Sequence, residues 1–200
     1  MLRHFPATGS AAPVSSRSSD ASDAALLERV VAGDLHAFES LYRIYHPRLH
    51  RFLGLVTPRQ AMVEEVVNDT LLVVWKRSHT YNGRSKVSTW IFAIAYRTAL
   101  KALRAQDEPL QSPPDDEQVS GHPGPEQQLG AEQARVALLH ALDALSPEQR
   151  CVLVLTYFHD LPYAEIARIV ECPVDTVKTR VFHGRRRLRA MLHETLGDAT

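Results

Sequence analysis

Leu161-Pro-Tyr-Ala-Glu-Ile-Ala167, followed by Cys172-Pro-Val-Asp-Thr-Val-Lys-Thr-Arg-Val-Phe-His-Gly-Arg-Arg-Arg-Leu188, is the stretch that decides the fold. A short helix over about Tyr163 to Glu171, a tight turn and a longer basic helix to about His193 have the spacing of a helix-turn-helix. A helix turns about 100° per residue. With Val177 as the origin, Val181, Gly184 and Leu188 return to within about 40° of it, and Val174 lies about 60° away. That stripe faces the preceding helices, and Gly184 is small where the helix must approach a neighbour. Lys178, Thr179, Phe182, His183, Arg186 and Arg189 fall on the opposite side, between roughly 100° and 240°. An exposed phenylalanine among bases suits contact with a thymine methyl or a sugar. Lys178 and Thr179 lie in the early turns, which reach base edges, and Arg185-Arg186-Arg187 lies where phosphates run beside the groove. For the basic run alone, a solvated charged face is the alternative. The preceding helix, the short turn and Phe182 move the reading to DNA.

Working outward, Ser146-Pro147-Glu148-Gln149 reads as a helix start, with Ser as N-cap, Pro at N1 and Gln reaching back from N3. Cys151 to Leu155 is its apolar body. Upstream, residues 105–130 carry Pro109, Pro113, Pro114 and Pro123 among acids and small residues, a linker that cannot form a core. From Asp23 to about Arg104 the pattern is helical again. Phe38, Leu41, Tyr42 and Tyr45 share one face. Val63, Val66, Val67, Thr70, Leu71, Val74 and Trp75 share another, as do Ile91, Ile94, Ala95, Thr98 and Ala102. Between the last two helices lies Ser78-His-Thr-Tyr-Asn-Gly-Arg-Ser-Lys86, with Asn82-Gly83 as a turn signal. The chain is therefore predicted to be all-α. It has two small helical domains, 23–104 and 131–193, joined by a flexible acidic, Pro-rich linker (105–130). A disordered tail covers 1–22 and a short tail covers 194–200.

The 200 residues carry a formal net charge of zero, which hides a segregation. From Asp107 to Glu132 there are seven acids and no Lys or Arg; from Thr176 to His193 there are six bases and no acid. Screening limits the reach of distant charges to about 10 Å, so the basic stripe attracts phosphate whatever the rest sums to. Cys151 and Cys172 make neither a disulfide framework nor a zinc pattern. The N-terminus lacks the apolar run of a signal peptide, and no stretch approaches the ~20 apolar residues of a membrane span. A soluble, cytoplasmic protein without membrane insertion is expected.

These motifs, in this order, resemble the extracytoplasmic-function (ECF) group of the sigma-70 family of RNA polymerase sigma factors. Ala144-Leu-Ser-Pro-Glu-Gln-Arg150 and the helix-turn-helix above resemble the family's fourth domain. Ala37-Phe38-Glu-Ser-Leu-Tyr42, Glu64-Glu-Val-Val-Asn-Asp-Thr-Leu-Leu-Val-Val-Trp75 and Ser88-Thr-Trp-Ile-Phe-Ala-Ile-Ala95 resemble its second domain. The resemblance covers about 23–104 and 131–193. It implies an alternative sigma factor that binds core polymerase and directs promoter-specific transcription initiation, under the control of an anti-sigma factor wedged between the two domains.

Residue by residue, the resemblance implies that Glu64, Glu65, Asn68, Asp69, Leu72 and Lys76 dock on the polymerase clamp coiled coil. The usual Gln-Glu pair is Asn68-Asp69 here, one carbon shorter at each position. The loop from His79 to Val87 matches the promoter-opening element, which captures a base flipped from the non-template strand of the −10 region. Tyr81, Asn82, Arg84 and Lys86 offer stacking, edge hydrogen bonds and phosphate contact; a Tyr81 that caps the bundle is the alternative. Trp90 borders the apolar stripe and is expected in the core. Ala93 and Ile94 stand where housekeeping sigma factors carry a tryptophan pair for melting. Arg97, Lys101 and Arg104 form a basic face for the −10 backbone. Thr176, Lys178, Thr179, Arg180, Phe182, His183 and Arg186 match the −35 contacts, with the domain held on the polymerase flap. Asp175 replaces a frequent Gly and is expected to cap the helix. His183 replaces a frequent Arg. The acidic linker would thread polymerase near the RNA exit path.

Two other readings stay open. A polymerase-independent regulator could use the same helix-turn-helix, but would not need the 23–104 bundle. A metal site at His46 and His50 is weakened by Pro47 between them and by the lack of a nearby third ligand. No nucleophile–base pair or Gly-rich phosphate loop supports an enzyme, and no cofactor is expected.

Overall fold

A computed structural model describes residues 14–57, 59–107 and 127–197, the side chains at 14–19, 106–107, 127–134 and 194–197 aside. Eight α-helices follow in order: α1 Val14–Val31, α2 Leu35–Val56, α3 Val63–Arg77, α4 Val87–Asp107, α5 Gln127–Asp143, α6 Pro147–Tyr157, α7 Tyr163–Ile169 and α8 Val174–Gly197. There is no strand among the described residues. The fold is all-α in two helical domains, as the patterning implies. Most of the acidic linker, 108–126, lies outside the described residues.

Local chemistry sets the boundaries. Gly33, at φ +87, makes the tight turn after α1. Asp34 then caps α2, accepting from the His36 and Ala37 amides at 2.9 and 3.1 Å, while Arg29 clamps its other oxygen at 2.6 Å. That Arg29 bond holds the Asp34 carboxyl below the usual carboxylate range. Ser146 caps α6 by accepting from the Gln149 amide at 3.3 Å, with Pro147 at the first helical position. The reciprocal bond is not made: the buried Gln149 Oε1 has no partner.

The expected linker 105–130 is helical at both ends, α4 running to Asp107 and α5 starting at Gln127, and two further boundaries correct the sequence expectation. The stretch 1–22 was expected to be disordered, yet α1 is helical from Val14. Alanine and leucine are strong helix formers, and Leu27 and Val30 bury the far end of the helix, so its Ser-rich start propagates back from an anchored segment. Likewise α8 continues past the expected end at 193 to Gly197.

In the N-terminal domain, α1 to α4 enclose Leu41, Tyr45, Leu49, Phe52, Val67, Leu71, Val74 and Ile91. Tyr45 is fully buried, and its hydroxyl donates to the carboxylate of buried Asp23. In the C-terminal domain, α5 to α8 enclose Leu142, Cys151, Val152, Leu155, Ile166, Ile169, Val177 and Val181. The α8 stripe is as expected at Val177 and Val181, but Val174, at the helix start, is 37% exposed. Gly184 is required for close approach: a Cβ there would lie 3.0 Å from Leu153 Cδ1.

The two cores are continuous, because α2 packs on α6 and α4 packs on α7. His159, just after α6, seats its ring 4.9 Å from Phe92 and 5.9 Å from Phe52. Burial, with Arg48 and Arg51 of α2 adding to it and Asp160 opposing, pushes His159 down to about 4. A free imidazole titrates near ~6.5. Were the two domains to part, the exposed ring would, like the seated one, be neutral well above about pH 6.5. As pH falls from there toward 4, the released ring takes a proton that the seam refuses, and closure weakens. Fluorescence transfer between dyes on the two domains is expected to fall on going from neutral to mildly acidic buffer, with the closing constant lower by on the order of tenfold. A His159→Leu variant should show no such step; an identical step in it would contradict this assignment.

Candidate functional site

Three faces gather the sequence-predicted residues. The first lies on α3. Glu64, Glu65, Asn68, Asp69, Leu72 and Lys76 are all exposed, while Val63, Val66, Val67, Thr70, Leu71 and Val74 on the other side are buried. Leu72, 46% exposed, opens onto a groove lined by Leu35, Phe38, Tyr42, Asn68, Leu71 and Trp75. Leu35, Phe38, Tyr42 and Trp75 were not among the predicted site residues. Phe38, Tyr42 and Trp75 belong to core stripes and do pack against the core, but their outer sides also line the groove. Asn68 accepts from the Tyr42 hydroxyl at 3.2 Å. Glu64 lies 3.0 Å from His46 Nε2, and this bond holds its carboxyl below the usual range, so the rim stays negative at neutral pH. His46, His50 and Glu64 do meet, although no group of three or more His, Cys, Asp or Glu among the described residues could hold a metal ion. An apolar groove with an acidic, hydrogen-bonding edge suits a protein helix carrying apolar and basic groups.

The second face is the loop before α4 with the exposed side of that helix. Gly83, at φ +71, turns the loop, and Asn82 Oδ1 accepts from the Arg84 amide at 3.1 Å. Asn82 and Arg84 are exposed. Tyr81 is not free: it is half-buried, packs its ring at a tilt against Trp90, 5.6 Å between centroids, and donates to the Ser85 carbonyl. Burial pushes its hydroxyl pKa up. Trp90 packs against the core, as expected, but only in part. It is half-buried and lines a crevice with Arg84, Ser85, Thr89, Ala93, Arg97 and Arg168. The stripe edge places one side of its large ring at the surface. Lys101 and Arg104 are exposed further along α4. Lys86 and Arg97 are already paired, with Glu165 at 2.9 Å and Glu171 at 2.5 Å.

The third face is α8. Lys178, Thr179, Phe182, His183 and Arg186 are exposed together, Phe182 by 60%. Thr176 is half-buried at the edge. Arg180 departs from expectation: it turns inward, and its Nη1 donates to Cys172 Sγ at 3.8 Å. Its position, about 60° from the buried Val177, explains why. Asp175 does not cap the helix. The Pro173 carbonyl accepts the first helical bond, from Val177, so Asp175 sits inside the first turn and pairs with Lys178 at 2.9 Å. A promoter would have to displace that exposed pair, which is worth little.

Residues 41–108 match the family described as "Sigma-70 region 2", and residues 135–188 match "Sigma-70, region 4". The RNA polymerase sigma-H factor of Pseudomonas aeruginosa is 27% identical over 193 residues, which cover 88% of this chain and 97% of the relative. The ECF RNA polymerase sigma-E factor of Escherichia coli is 29% identical over 173 residues, covering 82% and 90%. Among solved structures, the sigma factor RpoE in complex with the anti-sigma factor NepR from Bartonella quintana aligns with a TM-score of 0.63 at 25% identity, over 78% of this chain and 96% of that one. CnrH in complex with the cytosolic domain of CnrY aligns with a TM-score of 0.66 over 86% and 98%; at 21% identity it bears on the fold alone.

Proposed function

The chain belongs to the ECF group of the sigma-70 family, and from that membership we propose how its three faces divide the work of an alternative sigma factor. It binds core RNA polymerase and directs transcription initiation at particular promoters. The α3 groove, with Glu64, Glu65, Asn68, Asp69, Leu72 and Lys76 around it, docks on the clamp coiled coil. The loop and α4, through Asn82, Arg84, Lys86, Arg97, Lys101 and Arg104, hold the melted non-template strand of the −10 element. Tyr81 shapes the loop, and its neighbour Trp90 offers the ring a flipped base would stack on. On α8, Lys178, Thr179, Phe182, His183 and Arg186 read the −35 duplex, with the C-terminal domain on the polymerase flap. Arg180 serves the fold of the reader. The protein works in the cytoplasm, on DNA and polymerase. As in the Bartonella relative, an anti-sigma factor controls it.

One observation carries this reading: an exposed apolar groove with an acidic edge stands in the same chain as a basic helix that displays Phe182. A regulator that acts without polymerase has no use for the first. Size-exclusion chromatography with core polymerase tests the division. Co-elution, lost when an excess of another sigma factor is added, is expected. Failure to co-elute, with duplex DNA binding intact, would leave the polymerase-independent regulator.

A further inference from the structure

The cationic face assigned to the −10 strand is not open in the free chain. Lys86 Nζ lies 2.9 Å from Glu165 on α7 and 3.5 Å from Asp20 on α1. The second oxygen of Glu165 accepts from Thr89 at 3.1 Å. Arg97 pairs with Glu171, in the turn between α7 and α8. Arg168 reaches across to donate to the Arg84 carbonyl at 3.3 Å. Glu165 is only 13% exposed, so its pair with Lys86 is screened far less than a surface pair. Glu171 holds a left-handed backbone, φ +52, where a glycine would be unstrained. A glutamate there is strained, and what it gains is its bond to Arg97. The α3 groove is open, and on the α8 basic face the carboxylate paired with Lys178 is Asp175 of the same helix, not a group of the other domain.

We infer that α7 and the turn after it act as an intramolecular stand-in for promoter phosphates: Glu165 and Glu171 occupy Lys86 and Arg97 until the C-terminal domain swings away. The inference rests on the proposed −10 role of that face. In this arrangement, the closed chain can dock on core polymerase through the open α3 groove, but cannot hold melted DNA. Polymerase, by drawing the C-terminal domain to the flap, breaks the carboxylate latch and the His159 seam together. Stray binding of single strands by free protein is thereby suppressed.

The test uses the full chain with Glu165→Gln and Glu171→Gly combined. The second change relieves backbone strain, so loss of fold does not confuse the result. Dyes on cysteines at Arg43→Cys and Ala190→Cys, with Cys172→Ser, report closure. Anisotropy with a short random-sequence single-stranded DNA reports the face. The latch predicts lower transfer and DNA binding about tenfold tighter at low salt. Adding Lys86→Ala and Arg97→Ala should abolish that gain. Unchanged transfer and affinity would overturn the latch, leaving the seam to apolar contacts alone. Lower transfer without a gain, or a gain that survives loss of Lys86 and Arg97, would overturn the DNA role of the face, and the mimicry with it.

Discussion

Replacing Leu72 by glutamate is expected to weaken binding to core polymerase by about two orders of magnitude while the fold is kept. The side chain is 46% exposed and at the mouth of the groove formed with Leu35, Phe38 and Trp75. Docking a partner helix there removes it from water. Burying a leucine side chain fully contributes about 1.5–3 kcal/mol, and the part still exposed sets the share available to binding. A carboxylate in its place adds a desolvation cost. At about 1.4 kcal/mol per tenfold, the two effects reach roughly a hundredfold. Leu72→Ala, which removes only the burial, should cost about tenfold or less. Because the position is on the open side of α3, the thermal midpoint should move little in either variant. Titration of labelled protein with core polymerase reads the affinity. Wild-type affinity in Leu72→Glu would remove the groove from the docking surface.

The second large effect is expected on α8. Lys178→Ala with Phe182→Ala should reduce initiation from a −35-dependent promoter by at least about thirtyfold, each good base contact being worth roughly 1–3 kcal/mol. Core binding should be unchanged, since Lys178 and Phe182 are exposed on the side of α8 assigned to DNA, away from the α3 groove. Both side chains are exposed, and neither supports the core: the packing contacts of the helix run through Val177, Val181 and Gly184. Run-off transcription from a matched promoter separates the two readouts. A loss of core affinity in this variant would move α8 from DNA to polymerase. Unimpaired transcription would show that the −35 element is read elsewhere.

The helical periodicity made much of this legible. The α8 stripe, the buried side of α3 and the closeness required at Gly184 all follow from side-chain spacing, because a packed helix must repeat its apolar face. Angular position also contained the answer for Arg180: its place beside Val177 points inward, yet its charge and its match to a family contact position suggested DNA. Asp175 shows the opposite difficulty. A capping residue type is present, but the helix begins at Val174, two residues before the start an Asp175 cap requires, with the Pro173 carbonyl accepting the first bond.

The domain seam had no sequence signal. Glu165 and Glu171 find their partners Lys86 and Arg97 more than seventy residues away, a separation that leaves no periodic trace. His159 likewise reads as a polar residue at a helix end, and only the fold shows it seated between Phe52 and Phe92. The groove was half legible. Its acidic edge lies off the α3 stripe, but Phe38 and Trp75 belong to stripes that are only partly covered, and partial cover cannot be read from spacing. The α1 start was missed because Ser and Ala suggest disorder by composition while alanine favours helix by propensity.

The most direct test of the central claim is transcription from a random-promoter DNA library by purified core polymerase with and without this chain. New start sites that share a paired −35 and −10 sequence are expected, all dependent on the added protein, and lost when Lys178 and Phe182 are both replaced by alanine. Starts unchanged by the protein, with its duplex DNA binding intact, would contradict that claim.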